Sequence, residues 1–146
     1  MISFDLARKL KDQGLTWYPV QHDFFAIPDR GFDDQVFVIS DVQSSIENIL
    51  GSPVVAFQGA SEWALDYLVT TEAVWMPTEE QIRSLLEDHL LRYRQAALIF
   101  SWSIHEYTCN IAFDGKDLTF EGGQASDVYA LALLYLLGNE KPPAEG

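Results

Sequence analysis

The chain has 146 residues, of which 48% are hydrophobic and 13% aromatic, and its formal net charge at pH 7 is −13. This composition excludes an intrinsically disordered chain and a membrane protein, and the length fits one globular domain. The excess of acidic residues argues against nucleic acid and anionic lipid as partners, because both carry negative charge.

A single cysteine allows no internal disulfide and no cysteine-rich metal site. The first residues include an acid where a secretion signal needs a basic region, and no apolar run approaches the ~20 residues of a membrane span. The sequence therefore predicts a cytoplasmic protein.

The first half of the chain predicts a capped helix followed by short strands. Ser3 is placed to cap a helix over residues 4–13 that ends at Gly14. Two strands, each followed or ended by a proline, are then predicted over residues 15–20 and 24–27.

Charge is concentrated between Gly31 and Ile82, where nine acidic residues occur without one Lys or Arg. Nine of the thirteen net negative charges therefore lie in this segment. Its electrostatic potential favours a cationic partner, a metal ion or simple solubility.

Two continuous runs of β-branched and aromatic residues, 36–39 and 54–57, are typical of strands covered on both faces. Between them, Asp41 or Ser44 can cap a helix that ends at Gly51. The pattern therefore predicts a strand–helix–strand unit.

Residues 61–75 fit two patterns. Trp63, Leu65 and Tyr67 alternate as in a strand, whereas Trp63 and Tyr67 are also spaced four apart as in a helix. Helix and strand both stay open for this segment.

A helix after residue 78 is predicted from the capping residues at its N-terminus. Thr78 and Gln81 form a capping box, and the apolar positions Ile82, Leu86 and Leu90 follow on one face.

The last third predicts a strand over residues 97–104, a hairpin and a helix. Asp114-Gly115 is a two-residue turn, and it sets the register of the strand pairs. These pairs are Phe113 with Lys116, Ile111 with Leu118, and Cys109 with Phe120.

The final helix begins near Ser126 and contains no charge over residues 128–137, so it has to be covered on all sides. It is too short to span a membrane, and two interpretations remain: a central core helix or part of a subunit interface.

Together these elements predict an α+β fold, with an antiparallel or mixed β-sheet packed by three or four helices. We expect a single globular domain over residues 1–138 and a flexible tail over residues 139–146.

Few side chains are candidates for chemistry, and no catalytic residue or cofactor is assigned. Glu62 and Asp66 lie on one face of either a helix or a strand, where two carboxylates could hold a metal ion or share a proton. His22, followed by Asp23, could join them as a metal ligand or act as a general base. The competing interpretations are a solvated acidic face and an ordinary surface histidine.

The aromatic residues Trp63, Tyr67 and Trp75 could line a binding cleft bordered by Glu62 and Asp66. Such a site would suit a Lys or Arg from a partner protein. The competing interpretation is that these rings belong to the core.

Three stretches, residues 57–68, 72–82 and 126–134, carry a resemblance to small bacterial proteins of unknown activity that often have a pilus-assembly label. The similarity covers most of the chain from Leu15 onward. The larger pilus-assembly ATPases have a phosphate-binding loop, which this sequence lacks, so the resemblance implies at most an association. The hairpin and final helix are also similar in pattern to α-β-α sandwich proteins of phage.

The sequence thus favours a non-enzymatic protein-interaction domain, a homo-oligomer whose acidic surface and aromatic residues bind a basic protein partner. One alternative is a metal-dependent hydrolase that uses Glu62, Asp66 and His22. Another is an immunity or antitoxin-like protein whose acidic stretch mimics nucleic acid. Neither nucleic acid nor a membrane is expected as a partner.

Overall fold

A computed structural model describes residues 1–28, 35–39, 44–49, 52–57, 67–69 and 72–140. Contacts group the chain into two compact units, one of Met1–Leu15 with Pro77–Gly146 and the other of Thr16–Met76. The prediction of one domain over residues 1–138 with a flexible tail stays a prediction, and residues 141–146 of that tail lie outside the described part.

The described elements are helix α1 (Phe4–Asp12), strands β1 (Phe24–Ala26), β2 (Val36–Val38), β3 (Ser44–Ile49), β4 (Ser52–Phe57), β5 (Tyr67–Val69) and β6 (Val74–Trp75), helix α2 (Glu79–Leu90), strands β7 (Ala97–Ser103), β8 (Glu106–Phe113) and β9 (Lys116–Gly122), and helix α3 (Ala125–Glu140). Within these ranges the strands form three antiparallel sheets, ordered β2-β1-β6, β3-β4-β5 and β7-β8-β9. The predicted α+β class is confirmed.

The helix starts follow the caps that the sequence predicts. Ser3 Oγ accepts a hydrogen bond from the Leu6 amide, and Gly14 has the left-handed φ of 102° that suits a helix stop. At α2 both bonds of the capping box are present, 3.2 Å from the Gln81 amide to Thr78 Oγ1 and 2.9 Å from the Thr78 amide to Gln81 Oε1.

Helix α3 is the centre of the first unit. It packs against α1, α2, β8 and β9, and Leu133 and Leu136 are fully buried. Asp127 in its first turn accepts a 2.8 Å hydrogen bond from the Ser3 amide, which joins the starts of α1 and α3. The charge-free run is therefore explained by a core helix, one of the two interpretations that the sequence left open.

The hairpin of β8 and β9 has the predicted register, with Phe113, Ile111 and Cys109 paired as expected. Side chains at alternate positions of β8, from Cys109 to Phe113, face inward and are buried. The apolar rows of the two strands therefore lie on one side of the sheet.

The second unit has an aromatic core around β1. Phe25 is fully buried between Trp17 and Phe37, with ring centroids 5.4 Å and 5.6 Å away. Residues 15–20 do not form the predicted strand. Trp17 and Val20 instead donate hydrogen bonds to Asp23, in the turn that follows. Strand β2, which forms the first three residues of the run at 36–39, is at the edge of its sheet among the described strands, and Val36 and Val38 are exposed rather than covered.

The predicted helix between residues 41 and 51 is wrong, because Ser44–Ile49 is strand β3, paired with β4. Ile49 of β3 is opposite Ser52 of β4. The predicted helix stop at Gly51 lies outside the described residues. Strand β4 is the middle strand of its sheet, as predicted, and residues 67–69 of the ambiguous segment are a strand.

Candidate functional site

The proposed binding residues fall into two groups. Glu62, Trp63 and Asp66 lie outside the described residues, so both the carboxylate pair and the cleft around it stay predictions. Tyr67 begins β5, and Trp75 ends β6, which belongs to a different sheet of the same unit.

Trp75 lies against the aromatic core of the second unit, which consists of Trp17, Phe25, Ile27, Ile39 and Ala73. Its indole Nε1 is buried and has no hydrogen-bond partner among the described residues. The Trp17 indole, by contrast, donates a 2.9 Å hydrogen bond to Asp23 Oδ2. One core tryptophan therefore has its polar atom satisfied and the other does not.

This difference predicts unequal effects of the same substitution. Trp17→Phe removes a bond to a buried carboxylate and should destabilise the protein by about 2 kcal/mol. Trp75→Phe removes a similar volume together with an unsatisfied donor, so we expect a loss of less than about 1 kcal/mol. Urea unfolding of the two variants measures the difference, and a larger loss at Trp75 would mean that its N–H has a partner in solution.

His22 and Asp23 point to different environments. His22 is exposed and has a left-handed φ of 73°, whereas Asp23 is 2% exposed. Asp23 Oδ2 accepts hydrogen bonds from Trp17 Nε1 and, at 3.1 Å, from the Val20 amide. The backbone also ties this turn to the end of β2, since the His22 amide donates to the Ile39 carbonyl at 2.8 Å. The carboxylate therefore holds the turn together.

Among the described residues, no group of three or more His, Cys, Asp and Glu side chains is placed to hold a metal ion. Two of the three ligands in the hydrolase hypothesis, Glu62 and Asp66, lie outside that part of the chain. The hydrolase and the nucleic-acid mimic both stay predictions.

Cys109 is a free, fully buried thiol on β8. Burial raises its pKa from an ordinary 9.0 to about 11, because the interior disfavours the thiolate. A thiol that stays protonated is a poor nucleophile. The side chain therefore acts as a small apolar core residue.

The raised pKa predicts a loss of stability at alkaline pH. Below pH 9 the thiol is protonated in both states, whereas between pH 9 and 11 the unfolded chain loses the proton first. The free energy of unfolding should fall by about 2 kcal/mol over this window relative to Cys109→Ala, which carries no thiol. Urea unfolding of both proteins at about pH 8 and about pH 10.5 measures this difference, and parallel pH dependences would contradict it.

One open cleft of about 420 Å³ lies in the first unit, lined by Lys9, Asp12, Gln13, Leu134 and Gly138. Its polar groups come from the last turn of α1 and the residue after it, and none of these lining residues is aromatic. It has few of the convergent polar groups that fix a small molecule in place.

The β7-β8-β9 sheet carries the most unusual surface of the described structure. Strand β7 is at one edge, and three apolar residues on it or in the turn after it are highly exposed: Ile99 (61%), Trp102 (64%) and Ile104 (80%). No Asp, Glu, Lys or Arg occurs between Arg94 and Glu106.

The other edge of the same sheet is different. Strand β9 carries charge at Lys116, Asp117 and Glu121, all of them exposed. Charged side chains are the usual protection of an edge strand against pairing with another chain. Strand β9 has this protection and β7 lacks it.

The sequence predicted the strand at 97–104 but not its position at an edge. An uncharged run of this kind is equally typical of a central strand. Only the strand order distinguishes the two cases.

Comparisons with protein-family models, with curated proteins and with solved structures found no match for this chain. The resemblance to proteins with a pilus-assembly label therefore stays a prediction. Among the described residues, no helix is both long and apolar enough to cross a membrane.

Proposed function

We propose that the protein is a non-enzymatic, cytoplasmic protein-interaction domain that accepts an extended segment of a partner at β7, the edge of its sheet among the described strands. The observation that carries this proposal is the combination of edge position, missing charge and exposed apolar side chains in one strand. None of these properties alone would suffice, because exposed single apolar residues are common on protein surfaces.

The chemistry of strand addition explains why this edge is suited to binding. An edge strand presents a row of backbone N–H and C=O groups, which an added strand can pair along its whole length. Side chains that alternate above and below the sheet then select the partner. On β7 the exposed Ile99 is available on one face and Trp102 on the other.

The charge of the chain supports a basic protein partner. The exposed acidic residues among those described are Asp5, Asp12, Glu72, Glu79, Glu80, Glu87, Asp88, Glu106, Asp114, Asp117 and Glu121. A surface of this sign accelerates encounter with a cationic chain and slows encounter with an anionic one. The uncharged strand β7 would then make the contact, and the surrounding acidic residues would favour a cationic partner over an anionic one.

Binding of two labelled peptides tests this function. Each has about ten residues, and one alternates Val with Lys while the other alternates Val with Glu. We expect the Lys peptide to bind with an affinity that falls as salt rises, and the Glu peptide to bind at least about tenfold more weakly. Fluorescence anisotropy measures both affinities.

Two variants with the same change of charge distinguish contact at the β7 edge from long-range attraction by the acidic surface. Ile99→Lys places a charge on β7, whereas Thr119→Lys places the same charge on β9, and both positions are exposed. We expect at least about a tenfold loss of affinity for Ile99→Lys and less than about threefold for Thr119→Lys. Equal losses would show that charge alone binds the peptide, and no binding at all would overturn the proposal.

A further inference from the structure

We propose that one partner of the β7 edge is a second copy of this chain, so that two β7 strands pair antiparallel about a two-fold axis. This inference rests on the proposed function, because it uses the same edge. The two β7-β8-β9 sheets would then join into one continuous sheet. An interface of this type uses the same surface on both subunits.

Charge is the first argument for a second copy. Two chains with a net charge of −13 repel each other wherever their exposed acidic residues meet. Like charges placed opposite each other in an interface strongly disfavour the complex. Between Arg94 and Glu106 there is no formal charge, so two copies can approach along β7 without bringing acid onto acid.

The other sheet edge supplies the contrast. Pairing two copies through β9 would bring Asp117 and Glu121 of each chain into the interface. The charges on β9 therefore direct self-association to β7. This argument uses only the charges of this chain, because both partners have the same sequence.

The length of β7 defines the register. For two seven-residue strands Ala97–Ser103 that overlap completely about a two-fold axis, the central residue Phe100 lies opposite itself. Ile99 then lies opposite Ser101 of the second copy, and Leu98 lies opposite Trp102. A shift by one residue would leave part of each strand unpaired.

The side chains suit this register. Leu98, Phe100 and Trp102 share one face of β7, and the Phe100 ring stacks on Tyr129 of α3 at 5.1 Å. Phe100 is thus held by its contact with α3, whereas Trp102 at the end of the row is 64% exposed. Opposite Leu98 of the second copy, this indole would gain an apolar neighbour.

A seven-residue strand pair is a small interface, below the size of most permanent dimers. We therefore expect a dissociation constant of about 1–100 µM and a monomer at high dilution. In this range a basic partner strand can displace the second copy from β7.

Light scattering coupled to size-exclusion chromatography tests the dimer from about 1 µM to about 300 µM. We expect a shift from one chain mass, 16.5 kDa, to twice that mass as concentration rises. Ile99→Lys should stay monomeric, and Thr119→Lys should dimerise like the parent. A dimer that survives Ile99→Lys would have another interface and would overturn the inference.

Cysteine pairs test the register. Ile99→Cys mixed with Ser101→Cys should form a mixed disulfide at least about tenfold faster than either variant forms one alone, because directly opposite residues satisfy disulfide geometry. Cys109 is buried in all of these proteins and contributes the same background. A fast homodisulfide of one single variant would indicate a register centred on that residue and would contradict the pairing at Phe100.

The same measurements separate this inference from the proposed function. A monomer at every concentration that still binds the Lys peptide through β7 would overturn the dimer and leave the interaction domain standing. A monomer that binds neither peptide would overturn both.

Discussion

Replacing Asp23 by alanine is expected to lower the free energy of unfolding by about 3 kcal/mol. The carboxylate accepts from the Trp17 indole and the Val20 amide while it is 2% exposed. Alanine offers neither donor an acceptor, and a buried unsatisfied donor costs about 1–3 kcal/mol. Asp23→Asn keeps one acceptor oxygen and should lose only about 1 kcal/mol. Urea unfolding followed by circular dichroism measures all three proteins.

The neighbouring histidine provides the control. His22 adopts a φ of 73°, which glycine tolerates without steric cost, so His22→Gly should leave stability unchanged or raise it by a few tenths of a kcal/mol. Only Asp23→Ala should therefore lower the free energy of unfolding. If Asp23→Ala left stability intact, the carboxylate would not hold the turn, and a chemical role for the His22-Asp23 pair would regain support.

The hairpin and the capped helices could be predicted because their information is local. Asp114-Gly115 sets the strand register by loop length alone, and Asp114 and Gly115 adopt the positive φ angles that this turn requires. Thr78 and Gln81 satisfy each other within one helical turn. Such signals do not depend on what the rest of the chain does.

The wrong predictions come from segments whose structure depends on distant residues. Ser44–Ile49 has apolar positions compatible with a helix, but pairing with β4 decides for a strand. Similarly, the composition of Val36–Val38 is typical of a central strand, whereas β1 is its only neighbour among the described strands, which places it at an edge. Strand order is a property of the fold, and a single sequence does not encode it in any window.

The candidate site shows the same division. The residue types of His22-Asp23 suggest chemistry, whereas in the structure the aspartate accepts hydrogen bonds from an indole and an amide. The sequence predicts a strand at 97–104, but the proposed role of β7 depends on the absence of a fourth described strand beside it and on the charged residues of β9.

Replacing Leu133 by lysine is expected to unfold the first unit. Leu133 is fully buried at the centre of α3, and residues 128–137 contain no charge that could pair with an ammonium group. An unpaired buried charge costs several kcal/mol, which is a large part of the total stability of an ordinary domain. We expect the free energy of unfolding to fall by about 5 kcal/mol or more, so that thermal denaturation no longer shows a cooperative transition.

Two further variants keep this prediction measurable if the lysine variant does not fold. Leu133→Ala removes the same contacts without a charge and should cost about 3 kcal/mol. Asn139→Lys puts a lysine on the exposed last turn of the same helix, where the dipole favours a positive charge, so stability should stay within about 0.5 kcal/mol of the parent. If Leu133→Ala and Asn139→Lys had the same effect, α3 would not be the core of the first unit. Its charge-free surface would then have to be explained by an interface with another subunit, in competition with the edge of β7.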